Sequence, residues 1–460
     1  MTGMPTGSSK SAFRAAESGG SPFKRPFGFN VIGHISANAG VGIVAREAIR
    51  LMLQKGYPVS TFDIDPGRGR SRHDTAYAKL AVPSIDELPY GISLIVLSIT
   101  SLPDVILEGR IKLRDDVVNA GYFWWELPVI PGIWVKSLEQ FDVLVAGSQY
   151  LRSTFERYVA GTPTIYAQHA LPDFGGIHSD RARFRLPIDK VIFVCILEPT
   201  SDPARKNPFA AIEAFRRAFS ADDSAHLVIK VNNVQAGSPS SNPLAQLRSE
   251  VASLGNRVTL IESILAYDEV LQLYASCDVF VGLHRAEGLG LGLMEAMALG
   301  KAVIATGWSG NMTFMNHVNS CLVGFRLIPV AGSIGVYSRD FLGHDVRWAD
   351  PEIDEAAAWM RTLARDATLR ASIGARAAED MRRFLVEGER GLFLDELRAI
   401  WEHDSFLPRV RTTAAAVNLK ALRDAQFDSN AGLVRKALRR SHTLLDRHLL
   451  WRLRPRQMRQ

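Results

Sequence analysis

Short apolar runs recur along this chain and alternate with stretches of helical period. FGFNVIG (27–33), PVSTFDI (58–64), SLIVLSI (93–99), NAGYFWW (119–125) and FDVLVAG (141–147) read as strands. Apolar content on both faces of such runs suits strands buried in a parallel sheet. Ile43–Gln54 sets Ala45, Ala48, Ile49 and Met52 on one helix side, and further helical patterns lie near Pro131–Gln140 and Ser148–Val159. A second series opens at KVIFVCIL (190–197). It runs through a helix at Pro208–Phe219, the strand HLVIKV, a helix at Leu244–Ala252, the strand VTLIES, a helix at Tyr267–Ala275 and the strand CDVFVGL (277–283).

Strand–helix alternation predicts a parallel, doubly wound α/β sheet. Two series of similar size, each begun by a strand, predict two Rossmann-like domains facing across a cleft, over residues 27–188 and 189–385. Helices rich in Ala, Leu and Arg follow from Glu352 to about Trp401, with 386–405 expected as a closing helix and the whole forming a helical C-terminal extension. Residues 1–26 are rich in Gly and Ser and are expected to be a disordered tail.

One stretch concentrates candidate chemistry: RAEGLGLGLMEAMALGKAVIATGWSGN, Arg285–Asn311. The strand before it and the helical pattern after it place its glycines at the carboxyl end of a parallel strand, where open α/β sheets bind ligands. Gly288, Gly290 and Gly292 let the backbone approach a ligand closely, and the free N–H groups of the following helix suit an anion such as a phosphate. Glu287 and Glu295 flank that pocket. Carboxylates repel phosphate and accept hydrogen bonds from hydroxyls, so a ligand with both phosphates and vicinal hydroxyls, a nucleotide sugar, fits. The competing reading is that the glycines only permit tight packing and Glu295 is a solvated helix residue. A second strand–glycine–helix arrangement, HISANAGVG (34–42), contains Gly40 and Gly42.

Composition narrows the class. With 47% hydrophobic and 22% charged residues among 460, the chain is an ordinary globular protein of about three domains, or two larger ones. Cys195, Cys277 and Cys321 are isolated, with no disulfide or metal spacing, and read as core residues of a reducing, cytoplasmic compartment. No run approaches the roughly 18 apolar residues of a spanning helix, and the N-terminal stretch has no apolar leader core. The net charge of +6 is modest, and no nucleic-acid partner is expected. Its distribution matters more than its size: Val434–Gln460 carries nine Lys/Arg against Asp446, interleaved with Leu and Trp451. This end of the 406–460 basic tail reads either as a helix peripheral to an anionic membrane surface or as a solvated helix packed on its own domain.

HRAEGLGLGLMEAMALGKAVIATGWSGN resembles the signature of retaining glycosyltransferases of family four (glycosyltransferase group 1), which have the GT-B fold; their two glutamates are spaced as Glu287 and Glu295 are. SDPARKNPFAAIEAF (201–215), NAGYFWWELPVIPGIW (119–134), HVNSCLVGFRLIPV and RWADP (347–351) resemble further segments of a subgroup of that family. The resemblance spans roughly Phe27–Leu397. It implies that Glu295 binds the ribose hydroxyls and that Glu287 sits by the donor sugar and its phosphate. The backbone N–H groups of Gly288, Leu289, Gly290 and Leu291 would hold sugar hydroxyls and the diphosphate. Lys206, with Arg205, would neutralise the departing diphosphate; Gly40 and Gly42 would close over the phosphates. Many relatives place an arginine several residues before the lysine, where this chain reads LEPTSDPARK, so the second cation is either Arg205 or comes from elsewhere.

Family-four enzymes retain anomeric configuration and use no metal or other cofactor; the Asp63–Asp65 pair, before a Pro/Gly/Arg-rich stretch, reads as loop chemistry. Glu126, following Tyr122, Phe123, Trp124 and Trp125, is the candidate for the acceptor hydroxyl, with an exposed Glu on an aromatic core as the competing reading. His284 adjoins the pocket motif and is a candidate for the donor; His34 is a weaker one. The expected partners are a nucleotide diphosphate sugar and a saccharide or lipid-linked acceptor of surface-polysaccharide or glycoconjugate synthesis. A sugar-nucleotide epimerase or phosphorylase of the same fold, and a non-catalytic nucleotide-sugar-binding module, are the alternatives.

Overall fold

The computed structural model describes residues 25–64, 74–198, 201–219, 224–232, 242–331, 333, 337, 342 and 345–403. The first sheet is built from β1 (Phe29–Gly33), β2 (Val59–Asp63), β3 (Ile92–Ser98), β4 (Val118–Trp124), β5 (Val143–Ala146) and β6 (Thr164–Tyr166). The second contains β7 (Val191–Leu197), β8 (Ala225–Val231), β9 (Val258–Ile261), β10 (Val279–Gly282), β11 (Ala302–Thr306) and β12 (Cys321–Val323). Every neighbouring pair in both sheets is parallel. β6 and β12, at three residues each, are too short to show a pattern of their own in sequence.

Parallel strands are covered on both faces, and successive side chains show it. In β3, Ile95 and Leu97 face one core while Leu94 and Val96 face the other. In β7, Phe193 and Cys195 face one core while Ile192 and Val194 face the other. The three cysteines are free and buried, as small core residues.

Strand order positions the ligand-binding ends. The first sheet runs β2-β1-β3-β4-β5-β6 and the second β12-β11-β10-β7-β8-β9. The order reverses between β1 and β3 in one sheet and between β7 and β10 in the other. At each reversal the outgoing loops diverge and leave a crevice beyond the carboxyl ends. The loops after β1, β7 and β10 are the three that carry the glycine and cation motifs.

Two features tie the halves together. The helix Ala367–Glu389 starts on the second sheet, where Ala377 and Met381 are core residues, and ends beside the first. There Arg50 donates to both carboxylate oxygens of Glu389, at 2.8 and 2.5 Å. The helix Leu392–Glu402 then buries Phe393, Leu394 and Leu397 in the core of the first sheet, with Asp395 accepting from Lys55 and Tyr57. A hairpin outside the alternating pattern, β13 (Phe325–Pro329) with β14 (Arg347–Pro351), projects from the second half. Arg285 pins it through Asp350 at 2.8 Å.

Among the described residues no helix is long and apolar enough to cross a membrane. The basic segment Val434–Gln460, the tail 1–24 and Asp65 lie outside the described residues.

Candidate active site

The site forms where two turns meet at the reversal between β7 and β10. Beyond β7, Asp202 accepts from Arg205 N at 3.1 Å and caps the turn Pro203–Lys206. Asn207 follows with φ 53°, a left-handed conformation to which asparagine is suited, and its side-chain amide donates to Leu283 O at 3.0 Å. Arg285 N donates to Arg205 O at 2.8 Å. The cation turn is therefore stitched to the chain just beyond β10, which sets Lys206 over Glu287.

Their contact is direct. Lys206 Nζ donates to Glu287 Oε1 at 2.6 Å, and Arg205 Nη1 lies 3.5 Å from Glu287 Oε2. Burial alone would raise the Glu287 carboxyl, but the Lys206 and Arg205 charges outweigh it and hold it at about 2. Glu287 is thus an anion throughout the working range of pH. Of the two cations, Arg205 is 3% exposed and Lys206 is half-buried. The Arg205 guanidinium donates to Ala286 O at 2.7 Å and lies 3.6 Å from Glu126 of the first half. It bridges the two carboxylates, which leaves Lys206 the more open cation.

The glycine loop is held in an unusual shape. Gly290 has φ 94°, a region open to glycine, and starts the helix Leu291–Ala298. Glu287 N donates to Ser309 Oγ at 2.9 Å, and Gly310 N donates to Glu287 O at 2.9 Å. From the first half, Ser148 Oγ donates to Gly288 O at 2.6 Å. These bonds occupy loop carbonyls and the Glu287 amide. The N–H groups of Gly288, Leu289, Gly290 and Leu291 donate to no protein acceptor among the described residues. Four consecutive unused donors at a helix start are suited to phosphate or sugar oxygens.

Gly310 is required by contact rather than by φ. A Cβ there would lie 2.2 Å from Gly288 O and 2.6 Å from Leu289 N. Gly310→Ala is therefore expected to displace the donor loop, with a stability loss of about 1–3 kcal/mol for an overpacked site. Urea unfolding together with nucleotide binding would check it.

Glu295 lies inside the helix and is 3% exposed. Tyr267 Oη donates to its Oε1 at 2.7 Å. Burial pushes the Glu295 carboxyl up to about 8, with the Tyr267 bond opposing that rise. The two glutamates, eight positions apart, are thus shifted in opposite directions from the ordinary carboxylate range. The difference is that, among the described residues, Glu287 has cations beside it and Glu295 has none.

The first half supplies the opposite wall. Glu126 accepts from Tyr337 Oη at 2.6 Å, and the Tyr337 ring stacks on Trp125 with centroids 5.4 Å apart. Helix Gly40–Gln54 begins at Gly40, where a Cβ would meet open space; at Gly42 one would lie 2.3 Å from Ala37 O, so the loop folds tightly back there. Asn38 in that loop donates to Leu265 O of the second half at 3.3 Å. His284 is buried, with Nδ1 3.0 Å from Gly282 O and Nε2 3.1 Å from Asn311 Oδ1, so both ring nitrogens face protein oxygens. His34 Nδ1 is likewise 3.0 Å from Ile64 O. Asp63 accepts from Ser36 in the loop after β1. Ser148, Tyr267, Ser309 and Tyr337 are site residues that the sequence reasoning did not single out. Only Ser148 carried a signal, as the polar residue opening a helix after a strand.

Two doubly wound parallel sheets meeting across such a cleft define a GT-B architecture. Residues 189–323, in the second half, match the family model described as "Glycosyl transferases group 1". No curated protein matches the chain. Among solved structures, sucrose-phosphate synthase from Thermosynechococcus elongatus is similar over 81% of this chain and 98% of its own, at TM-score 0.58 and 16% identity. HepE from Anabaena, in complex with UDP and glucose, is similar over 81% and 100%, at TM-score 0.56 and 17% identity. A UDP-forming α,α-trehalose-phosphate synthase from Burkholderia vietnamiensis is similar over 81% and 98%, at TM-score 0.54 and 11% identity. Likeness at these identities establishes the shared fold.

Proposed function

We propose that the protein is a retaining glycosyltransferase that moves a hexose or deoxyhexose from a nucleotide diphosphate sugar to a saccharide or lipid-linked acceptor. The observation that carries this reading is the row of unused N–H groups at Gly288–Leu291 lying between an anionic Glu287 with its Lys206 and a buried Glu295. Such a pocket offers donors for phosphate and sugar oxygens and an acceptor for hydroxyls. A likeness to HepE, crystallised with UDP and glucose, and to a UDP-forming synthase supports the same ligand class.

In the proposed reaction the bond from the anomeric carbon to the diphosphate oxygen breaks and the nucleoside diphosphate leaves. The acceptor oxygen bonds to that carbon on the same face, and its proton passes to the departing phosphate oxygen. No protein nucleophile is required. The protein positions the reactants and stabilises the negative charge growing on the diphosphate, through Lys206 and the loop amides. Glu287 orients Lys206 and faces the sugar, and Arg205 balances Glu287 against Glu126. Glu126, which accepts from Tyr337, is the candidate to accept from the acceptor hydroxyl.

A panel of nucleotide sugars tests the reading. A binding donor at 100 times its Kd raises stability by about 2.7 kcal/mol, so the melting temperature should rise for one donor class, with release of the matching nucleoside diphosphate. Release should be the same with and without a chelator. A panel in which no nucleotide sugar shifts the melting temperature would count against the proposal.

A further inference from the structure

Glu295 is almost fully buried, and among the described residues no cation lies beside it. Its one hydrogen bond among the described residues comes from Tyr267, at 2.7 Å on Oε1, and Oε2 receives none. Oε2 is nonetheless not sealed inside the protein: it has no protein donor among the described residues and stays accessible to a ligand. Tyr267 opens the helix Tyr267–Ser276, a few residues after β9, and is therefore delivered to Glu295 from a different strand than the helix that carries the glutamate. The loop between β9 and that helix touches the first half through the Asn38–Leu265 bond.

We propose that Tyr267 is the positioning residue for ribose recognition, its hydroxyl locking Glu295 so that Oε2 stays turned toward the vicinal hydroxyls of the nucleotide. This rests on the nucleotide-sugar reading above. The geometry supplies the reason. A carboxylate held by one donor on Oε1 has lost its rotational freedom, so the second oxygen meets an incoming diol without first being ordered. The phenol also donates to the charged form, and so favours the state that accepts both ribose hydroxyls.

The charged and titratable groups around the pair are few. From the second half these are Tyr274, 2% exposed, with its hydroxyl 3.2 Å from the Cβ position of Gly292. From the first half they are Glu47, whose charge acts on Tyr267, and Arg46, on which Tyr267 acts, both on the helix Gly40–Gln54. Arg46 is itself engaged with Ile35 O and Ala37 O and paired with Asp74, and Glu47 is paired with Arg50. Among the described residues Tyr267 is thus the group that both touches Glu295 and favours its charge.

The sign of the pH effect follows. Ribose binding favours the ionised carboxylate, so nucleotide affinity should rise with pH and level off above about 8. Removing the phenol withdraws a donor to the charged form, which moves that midpoint upward.

The test uses the full chain and whichever of UDP, GDP or ADP binds it most tightly, alongside the 2′-deoxy form of the same nucleotide. For Tyr267→Phe we expect affinity for the ribonucleotide to fall roughly tenfold at neutral pH, as for a lost hydrogen bond to a charged group. We expect a much smaller loss for the deoxy form and an upward shift of the pH midpoint. Glu295→Gln, which keeps the shape, should bind weakly and show no pH dependence near 8. Should Tyr267→Phe fold poorly, the ribo-to-deoxy comparison in Tyr267→Leu, which also lacks the hydroxyl, supplies the readout. Equal losses for ribo and deoxy forms, or an unshifted midpoint, would overturn the role of Tyr267 while leaving nucleotide binding intact. Failure of all three nucleotides to bind the unaltered protein would instead overturn the underlying functional reading.

Discussion

If the proposed glycosyl transfer is the activity, Lys206→Ala is expected to lower its turnover by about 10²–10³-fold, the usual loss when one preorganised charge facing a developing anion is removed. The ammonium is the more open cation of the site, held at 2.6 Å from Glu287 on a turn that is itself bonded to the chain beyond β10. Its charge is therefore fixed before the diphosphate leaves and needs no reorganisation during the reaction. Arg205 does not substitute for it, being 3% exposed and committed to Ala286, Glu126 and Glu287. The substitution also strips Glu287 of its first counter-charge, so that carboxyl should rise from about 2. In the unaltered protein its folded-state value is depressed. The stabilisation it contributes is present above its ordinary carboxylate range and is lost only as pH falls through about 2. Initial rates of nucleoside diphosphate release across pH would show both effects, with binding of the free nucleoside almost unchanged.

Glu295→Ala should have the second large effect, on binding rather than turnover. The truncation removes the proposed acceptor for the ribose hydroxyls and leaves the Tyr267 hydroxyl without its Glu295 partner. A lost hydrogen bond to a charged group is worth about 1.5–3 kcal/mol, or roughly 10–100-fold in Kd. The fold should tolerate the change, because the carboxyl is buried without a cation and its removal relieves a desolvated polar group.

Much of the architecture is readable from local pattern. Runs such as KVIFVCIL and SLIVLSI are apolar on both faces because both faces are covered, and each lies within a residue of the strand observed. The short strands β6 and β12 carry too few residues to show a period, and the β13–β14 hairpin lies outside the strand–helix alternation. In the site, the glycine loop and the Arg205–Lys206 turn announce themselves by composition and spacing. The residues that lock them do not. Ser148 acts on Gly288 from 140 positions away and Tyr337 on Glu126 from 211, and no local pattern encodes such pairings. Gly310 shows why a glycine is needed only once Gly288 is seen to pass over it. The proton states of Glu287 and Glu295 were equally hidden, since both read as carboxylates until one was found beside cations and the other beside a phenol.

Calorimetric titration of UDP, GDP and ADP into the unaltered protein and into Glu295→Ala tests the donor site most directly. One nucleotide should bind the unaltered protein, and its Kd should rise by roughly 10–100-fold in the variant. Unchanged binding in Glu295→Ala, or no binding of any of the three to the unaltered protein, would contradict the placement of a nucleotide diphosphate at the reversal between β7 and β10.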